Sequence, residues 1–287
     1  MTLNKLHVGL GGGSLLQISA RTLTQMMSYV ITTPGGKCIV IDGGNKCPED
    51  AAALYEAIAA HGKRVEYWYI THAHSDHIGA LTYLMETMEN FDIEIGTMCF
   101  NFPSEEWLRA GNFGKDSEMT FDFLRLLSEK KIPVKTVVTR DVIECDGTVV
   151  EILHHPEEYQ SYKNINSTSI IFRFSFPKRD VLFTGDFEAP AQPEFMRKRD
   201  PSKLRCDILQ MPHHGQNGVN REFYELVMPK ICLYTAPIWL WENNRYRCLD
   251  PETRGKGPFT IFETRAWMEE LGAQVSCIDG YGDYLLF

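Results

Sequence analysis

The chain of 287 residues is predicted to fold as a single α/β domain, two sheets flanked by helices. Short runs rich in β-branched and aromatic residues alternate with segments of helical apolar spacing along its length. Hydrophobic residues make up 44% of the chain, ample for a substantial core. No fixed-period repeat, low-complexity tract or Ser/Gly linker divides it.

The elements follow in order. Residues 28–33 and 38–41 read as strands around Pro34-Gly35-Gly36, a hairpin signal. Pro48 opens a helix over 49–61, where Ala and Leu recur at helical spacing. A strand over 65–70 is followed by a helix over 78–88 and a strand over 95–100. Residues 101–118, polar and turn-forming around isolated aromatics, are expected to be an irregular lid or binding loop. A helix over 119–130 precedes strands at 134–138, 149–153, 169–175 and 181–184. A helix near 193–198, a strand at 207–210, a helix at 222–227 and a strand at 231–235 come next. Residues 238–258 form an aromatic and basic insertion before a last helix over 261–271, and two short strands end the chain.

Net charge is -9, so the field of the whole molecule repels polyanions and duplex nucleic acid is not the expected partner. The basic cluster Arg197, Lys198, Arg199, Lys203 and Arg205 reads as a solvated helix end. The first residues lack the apolar stretch of a signal peptide, and no apolar run approaches membrane-spanning length. Eight cysteines without a CxxC pair suggest reduced, mostly buried thiols and a cytoplasmic location.

Chemistry concentrates in residues 71–79, Thr-His-Ala-His-Ser-Asp-His-Ile-Gly. His72 and His74 leave the same face of an extended segment, while Asp76 and His77 follow where the chain turns. Two ligands from a strand end and two from the next turn can reach two metal ions held close together. Imidazole suits zinc, iron or manganese, and a carboxylate favours a harder ion. Such a cluster would be costly to hide in an apolar core, where each member needs a partner. Further strand ends finish in similar side chains: Asp42 in Ile-Asp-Gly-Gly, Asp186 in Thr-Gly-Asp, and His213 and His214 in Pro-His-His-Gly. Asp42 reads equally as a turn-capping aspartate or an active-site residue.

This ordered set resembles the metallo-β-lactamase-fold hydrolases, whose HxHxDH signature the nonapeptide matches, over residues 28 to about 235. Within that superfamily, NSTSIIFRFSF followed by VLFTGD and ILQMPHHG looks most like the hydrolase domain of bacterial competence DNA-uptake channels. It is also similar to related stand-alone hydrolases and phosphorylcholine esterases. The resemblance implies an αββα four-layer sandwich with two divalent metal ions, zinc or manganese, with iron also admissible, at one edge. It implies His72 and His74 on the first metal, Asp76 and His77 on the second, and Asp186 bridging both. One of His213 and His214 would complete the second, His214 being preferred because Pro-x-His-Gly recurs in the family. Many members carry another first-metal histidine about twenty residues before the bridging aspartate, where this chain reads Asn164-Ile165-Asn166-Ser167-Thr168. Asn166 could donate an amide oxygen there, or water fill the position, and an oxygen-rich first site favours manganese over zinc. His154 and His155 lie further upstream and read as surface histidines.

The ligands imply attack by a metal-bridging hydroxide, oriented by Asp76, on a phosphorus or carbonyl carbon. The expected activity is hydrolysis of a small phosphoester or phosphodiester, a small-molecule substrate. The alternatives are a carboxylic ester, thioester or lactone hydrolase, or a metal-binding module with little catalysis. Trp239, Trp241 and Tyr246 of the insertion read as a stacking surface or as core packing, and Arg245 or Arg247, near Asn243, as phosphate contacts. Trp107 and Phe113 are candidates to cap the same cleft.

Overall fold

The computed structural model describes residues 2–111 and 113–287. In chain order the strands are β1 (Leu3–Leu6), β2 (Ser14–Gln17), β3 (Tyr29–Thr32), β4 (Cys38–Ile41), β5 (Arg64–Tyr69), β6 (Glu94–Phe100), β7 (Val134–Thr136), β8 (Val142–Cys145), β9 (Thr148–His154), β10 (Ile171–Ser175), β11 (Asp180–Phe183), β12 (Ile208–Gln210), β13 (Ile231–Tyr234), β14 (Val275–Ile278) and β15 (Asp283–Leu286). The helices are α1 (Pro48–Ala59), α2 (Ser75–Thr87), α3 (Glu105–Ala110), α4 (Lys115–Glu129), α5 (Gln192–Lys198), α6 (Arg221–Val227), α7 (Ile238–Trp241) and α8 (Ile261–Glu270). One eight-stranded sheet runs β1-β15-β2-β3-β4-β5-β6-β7, and a seven-stranded sheet runs β14-β13-β12-β11-β10-β9-β8.

Side-chain alternation along each strand sets the layers. Tyr29, Ile31, Ile39, Ile41 and Tyr69 face inward, meeting Phe172, Phe174, Val181 and Phe183 of the other sheet in a shared core. The intervening residues Val30, Val40 and Trp68 face outward and are covered by Leu54 and Ile58 of α1, Leu81 and Met85 of α2, and Phe123 and Leu127 of α4. On the far side Ile171, Leu182 and Leu209 meet Phe195 of α5, Phe223 of α6 and Met268 of α8. The fold is therefore the helix–sheet–sheet–helix sandwich that the motifs imply.

The middle of each sheet is parallel: β4 with β5 and β5 with β6 in one, and β11, β12 and β13 in the other. Parallel neighbours end on the same edge, so the segments after β4, β5, β11 and β12 converge there. Open α/β sheets build their sites at such carboxyl ends.

Several expectations are corrected. Residues 101–118 are not irregular: Ser104 caps α3 by accepting the N–H of Trp107 at 3.3 Å, with Glu105 and Glu106 in the first turn. Likewise α4 begins at Lys115, after Gly114, rather than at residue 119. Asn112, inside that stretch, lies outside the described residues. The sequence reading omitted β1, β2 and β8, each four residues long and without a run of buried positions. The turn Asp146-Gly147, with φ of 51° and 84°, joins β8 to β9 as a two-residue hairpin. His154, expected at the surface, is fully buried against Phe187 and Phe195. Its ring nitrogen Nδ1 accepts from Arg199 at 3.2 Å.

Arg197, Lys198, Arg199 and Lys203 pair with Glu158, Glu157 and Glu151, which accounts for most of the basic cluster. All eight cysteines are free, six of them buried. No helix among the described residues is long and apolar enough to cross a membrane.

Candidate metal centre

Four strand ends build the centre. Asp42 follows β4, His72 and His74 follow β5, Asp186 follows β11, and His213 and His214 follow β12. His74 is the N-cap of α2, which places Asp76 in its first turn, where the helix dipole favours a carboxylate. Two donor sets result: His72, His74 and Asp186 in one, and Asp76, His77, Asp186 and His214 in the other, with the donor atoms of each set within 4.8 Å of one another. Asp186 belongs to both. His77 Nε2 lies 3.3 Å from Asp186 Oδ1. His214 Nε2 lies 3.1 Å from Asp76 and 3.4 Å from Asp186. His213 is in neither set; its Nε2 stands 3.8 Å from Asp186.

Tight turns aim these side chains. Gly185 has φ +54°, and a Cβ there would meet Thr71 at 2.6 Å, so the chain before Asp186 requires glycine. His213 and His214 both take left-handed backbone, φ 49° and 58°. Gly215 follows at φ +81°, and a Cβ on it would lie 2.4 Å from the Tyr234 ring. The buried Gln210 amide ties the two turns together. Its Oε1 accepts from the N–H groups of Thr184 and Gly185 at 2.7 Å each, and its Nε2 donates to Gly185 and Met211.

Behind the donors sits a layer of orienting groups. Asp42 accepts from Nδ1 of His77 at 2.8 Å and from Thr71 N–H and Oγ1 at 2.8 and 2.9 Å. This fixes the His77 tautomer and turns its Nε2 toward Asp186. Asp42 thus lies behind the centre rather than in either donor set. His214 Nδ1 is held by the Thr235 carbonyl at 3.0 Å, which frees its Nε2 for the cluster. Ser169 Oγ accepts the N–H of Asp186. Thr71, Ser169, Gln210 and Thr235 escaped the sequence reading. Each is a common polar residue at a strand end, with its partner distant in sequence.

Glu188 was missed too. Its carboxylate accepts from Asn166 Nδ2 at 2.6 Å and Asn164 Nδ2 at 2.9 Å. It also lies 3.3 Å from His213 Nδ1. With its amide nitrogen engaged there, Asn166 leaves its Oδ1 buried and without a hydrogen-bond partner.

Electrostatics follow from burial and proximity. Burial lowers His77, but Asp186, Asp42 and Asp76 outweigh it and hold the imidazole well above its ordinary pKa. His214 is likewise lifted to about 10, burial being overcome by Asp186 and Asp76. Burial raises Asp186 and Asp76, yet the neighbouring imidazoles hold both below the ordinary carboxylate range. His72 is pushed well below 6.5 by burial and by the charge of His77.

The donors fit divalent metal. His77 Nε2, His214 Nε2 and Asp186 Oδ1 are buried without hydrogen-bond partners. Orphaned donor atoms converging in this way suit a cation better than an empty polar cavity.

The centre opens into a cleft of about 390 Å³ whose walls include Asn45, Asp116, Asn166, Gln216 and Arg247. The insertion reaches it less than expected. Trp239 is buried in the core and donates its indole N–H to Leu23 O at 2.6 Å. Trp241 packs on Tyr234 and under Arg265. The buried Asn243 braces its loop through Phe259 O. Arg245 lies over the exposed Tyr246 ring and is not part of the cleft wall. Arg247 alone of these lines the cleft, 5.4 Å over Trp239 and itself at φ 52°.

A two-sheet sandwich with paired donor sets sharing one aspartate defines a class of binuclear metalloproteins. A family model described as the metallo-beta-lactamase superfamily matches residues 21–229, and the chain belongs to that superfamily. Among curated proteins it is similar to hydroxyacylglutathione hydrolase of Salmonella typhi, 36% identical over 58 residues, covering 20% of this chain and 21% of that protein. The chain thus aligns with about a fifth of the length of the curated relatives it matches. Among solved structures it is similar to CmlA, a diiron β-hydroxylase from Streptomyces venezuelae, with TM-score 0.57 and 14% identity over 93% of this chain and 52% of that one. It is also similar to the metallo-β-lactamase-fold protein YhfI from Bacillus subtilis, with TM-score 0.51 and 11% identity over 95% and 99% of the two chains. At such identities these structures show the fold alone.

Proposed function

We propose that this chain is a metal-dependent hydrolase acting on a small phosphoester or phosphodiester. The observation that carries the substrate class is Arg247, the only Lys or Arg among the described residues lining the cleft. It shares with the donor sets a cleft suited to a small molecule, and a guanidinium suits a phosphoryl oxygen pair. His72, His74 and Asp186 would hold one divalent ion and Asp76, His77, Asp186 and His214 another, with Asn166, whose Oδ1 is buried without a partner, on the wall of the same cleft. Ions bound there would supply Lewis acidity, polarising the scissile group and acidifying water. Asp76, kept ionised by His77 and His214, is placed to accept a hydrogen from the attacking water and orient it. Mixed imidazole and carboxylate donors of this kind suit manganese or iron as well as zinc. The motif likeness to competence-channel hydrolase domains supports a phosphodiester, and the reduced cysteines support a cytoplasmic setting.

One observation favours a second reading. The segment shared with hydroxyacylglutathione hydrolase points to a thioester, which the same centre could cleave. Metal analysis of the purified protein, paired with bis(4-nitrophenyl) phosphate, 4-nitrophenyl acetate and an acyl thioester, separates the readings. Phosphodiester turnover is expected, abolished by chelation and by Asp186→Ala, with both metals lost in that variant. Thioester or ester cleavage with phosphoesters untouched under zinc, manganese and iron would replace the first reading by the second.

A further inference from the structure

A groove of about 500 Å³ beside the metal cleft has no role in the reading above. Trp107, Phe113, Tyr162 and Lys163 line it. Both walls run directly into the cleft: Phe113 is followed by Asp116, and Lys163 by Asn166, which line the cleft in turn. Beneath the groove, Trp107 packs with Ala73 and Ile165. Ala73 lies between His72 and His74, so the groove floor rests on the donor segment itself.

The groove is chemically unfinished. Trp107 and Phe113 hold their rings 4.7 Å apart at 36°, and Tyr159 closes edge-on at 5.8 Å. Trp68 and Trp239 donate their indole N–H groups to carbonyls at 3.0 and 2.6 Å. The indole N–H of Trp107 has no acceptor among the described residues and is open to solvent, free to donate to a bound group. Lys163, exposed on the opposite wall, forms no ion pair among the described residues. Glu106 at the rim offsets that charge, so the groove does not select for an anion. A flat ring bearing a hydrogen-bond acceptor suits these surfaces: its face meets the aromatic rings and its acceptor meets the indole N–H.

We propose that this groove is a subsite for a planar, acceptor-bearing aromatic group of the substrate, joined to the ester held in the metal cleft. The inference rests on the phosphoester reading only for the chemistry of the attached group.

Calorimetric titration of the intact protein with 4-nitrophenyl phosphate and with methyl phosphate, each with and without added manganese, tests it. The aryl ester is expected to bind about tenfold more tightly than the methyl ester, with or without metal. Phe113→Ala is expected to erase that preference and leave methyl phosphate binding unchanged. Trp107→Leu should do the same, and Phe113→Ala keeps the test valid if loss of the buried indole unfolds the chain. Equal affinity for the two esters, or a preference that survives Phe113→Ala, overturns the subsite. Failure of the protein to cleave any phosphoester would instead overturn the proposed activity and leave the aryl preference intact.

Discussion

Asp42 accepts hydrogen bonds from the backbone and hydroxyl of Thr71 and from His77, so both carboxylate oxygens are committed before any ligand arrives. Truncating it would leave the Thr71 N–H buried without a partner and His77 Nδ1 with Thr71 Oγ1 alone at 3.2 Å, loosening the hold on the imidazole. Asp42→Ala is therefore expected to weaken metal binding by roughly 10–100-fold, with Asp42→Asn intermediate, as read by metal titration. Asn166 invites the opposite change. Histidine at that position would exchange a neutral amide oxygen for imidazole, and Asn166→His should raise zinc affinity over manganese in competition titrations. Unchanged affinities would remove Asn166 from the first donor set. Residues such as His72 to His77 were legible because six consecutive positions carry four donors. Asp42, Glu188 and Gln210 were not legible in their roles, because their partners lie 22 to 35 positions away.

Strand ends supply most of the donors and the first turn of α2 supplies Asp76 and His77, and the turns that aim the strand-end groups are short and strained. The turn at Gly185, like that at Gly215, combines left-handed backbone with a close approach, here to Thr71. Gly185→Ala is expected to cost roughly 1–3 kcal/mol from backbone strain, with the steric contact adding to it. Denaturant melts of the metal-free protein would show the loss, and a melt matching the parent would mean the turn relaxes freely. Short continuous runs of apolar and β-branched residues made the central strands readable to within a residue or two. The short elements failed for a physical reason. Six residues of α3 carry too few turns to show periodicity, and β1 and β2 are specified by neighbours distant in sequence. The insertion misled because Trp239 and Asn243, polar or aromatic by type, serve packing and loop bracing.

At the level of the whole molecule, acid stability carries a signature away from the metal centre. His154 is buried and held down to about 3 from an ordinary 6.5, chiefly by burial and then by Arg199. A histidine with a depressed folded pKa favours the fold fully above the unfolded value and loses that contribution as pH falls. Stability of the metal-free protein should thus decline from about pH 6.5 toward about pH 3. His154→Leu should make that decline shallower between pH 6.5 and 5, with the buried His72 supplying part of what remains; an unaltered slope would mean that the imidazole finds water on protonation. The same scale gives meaning to β15. It lies between β1 and β2, parallel to the first and antiparallel to the second. During vectorial synthesis β1 and β2 emerge early, but the strand that belongs between them follows all fourteen others. Until it arrives β1 has no neighbour in the sheet, and the flank of β2 stands open. β15 is a keystone set last: the nascent chain must carry an unfilled slot through most of its own production.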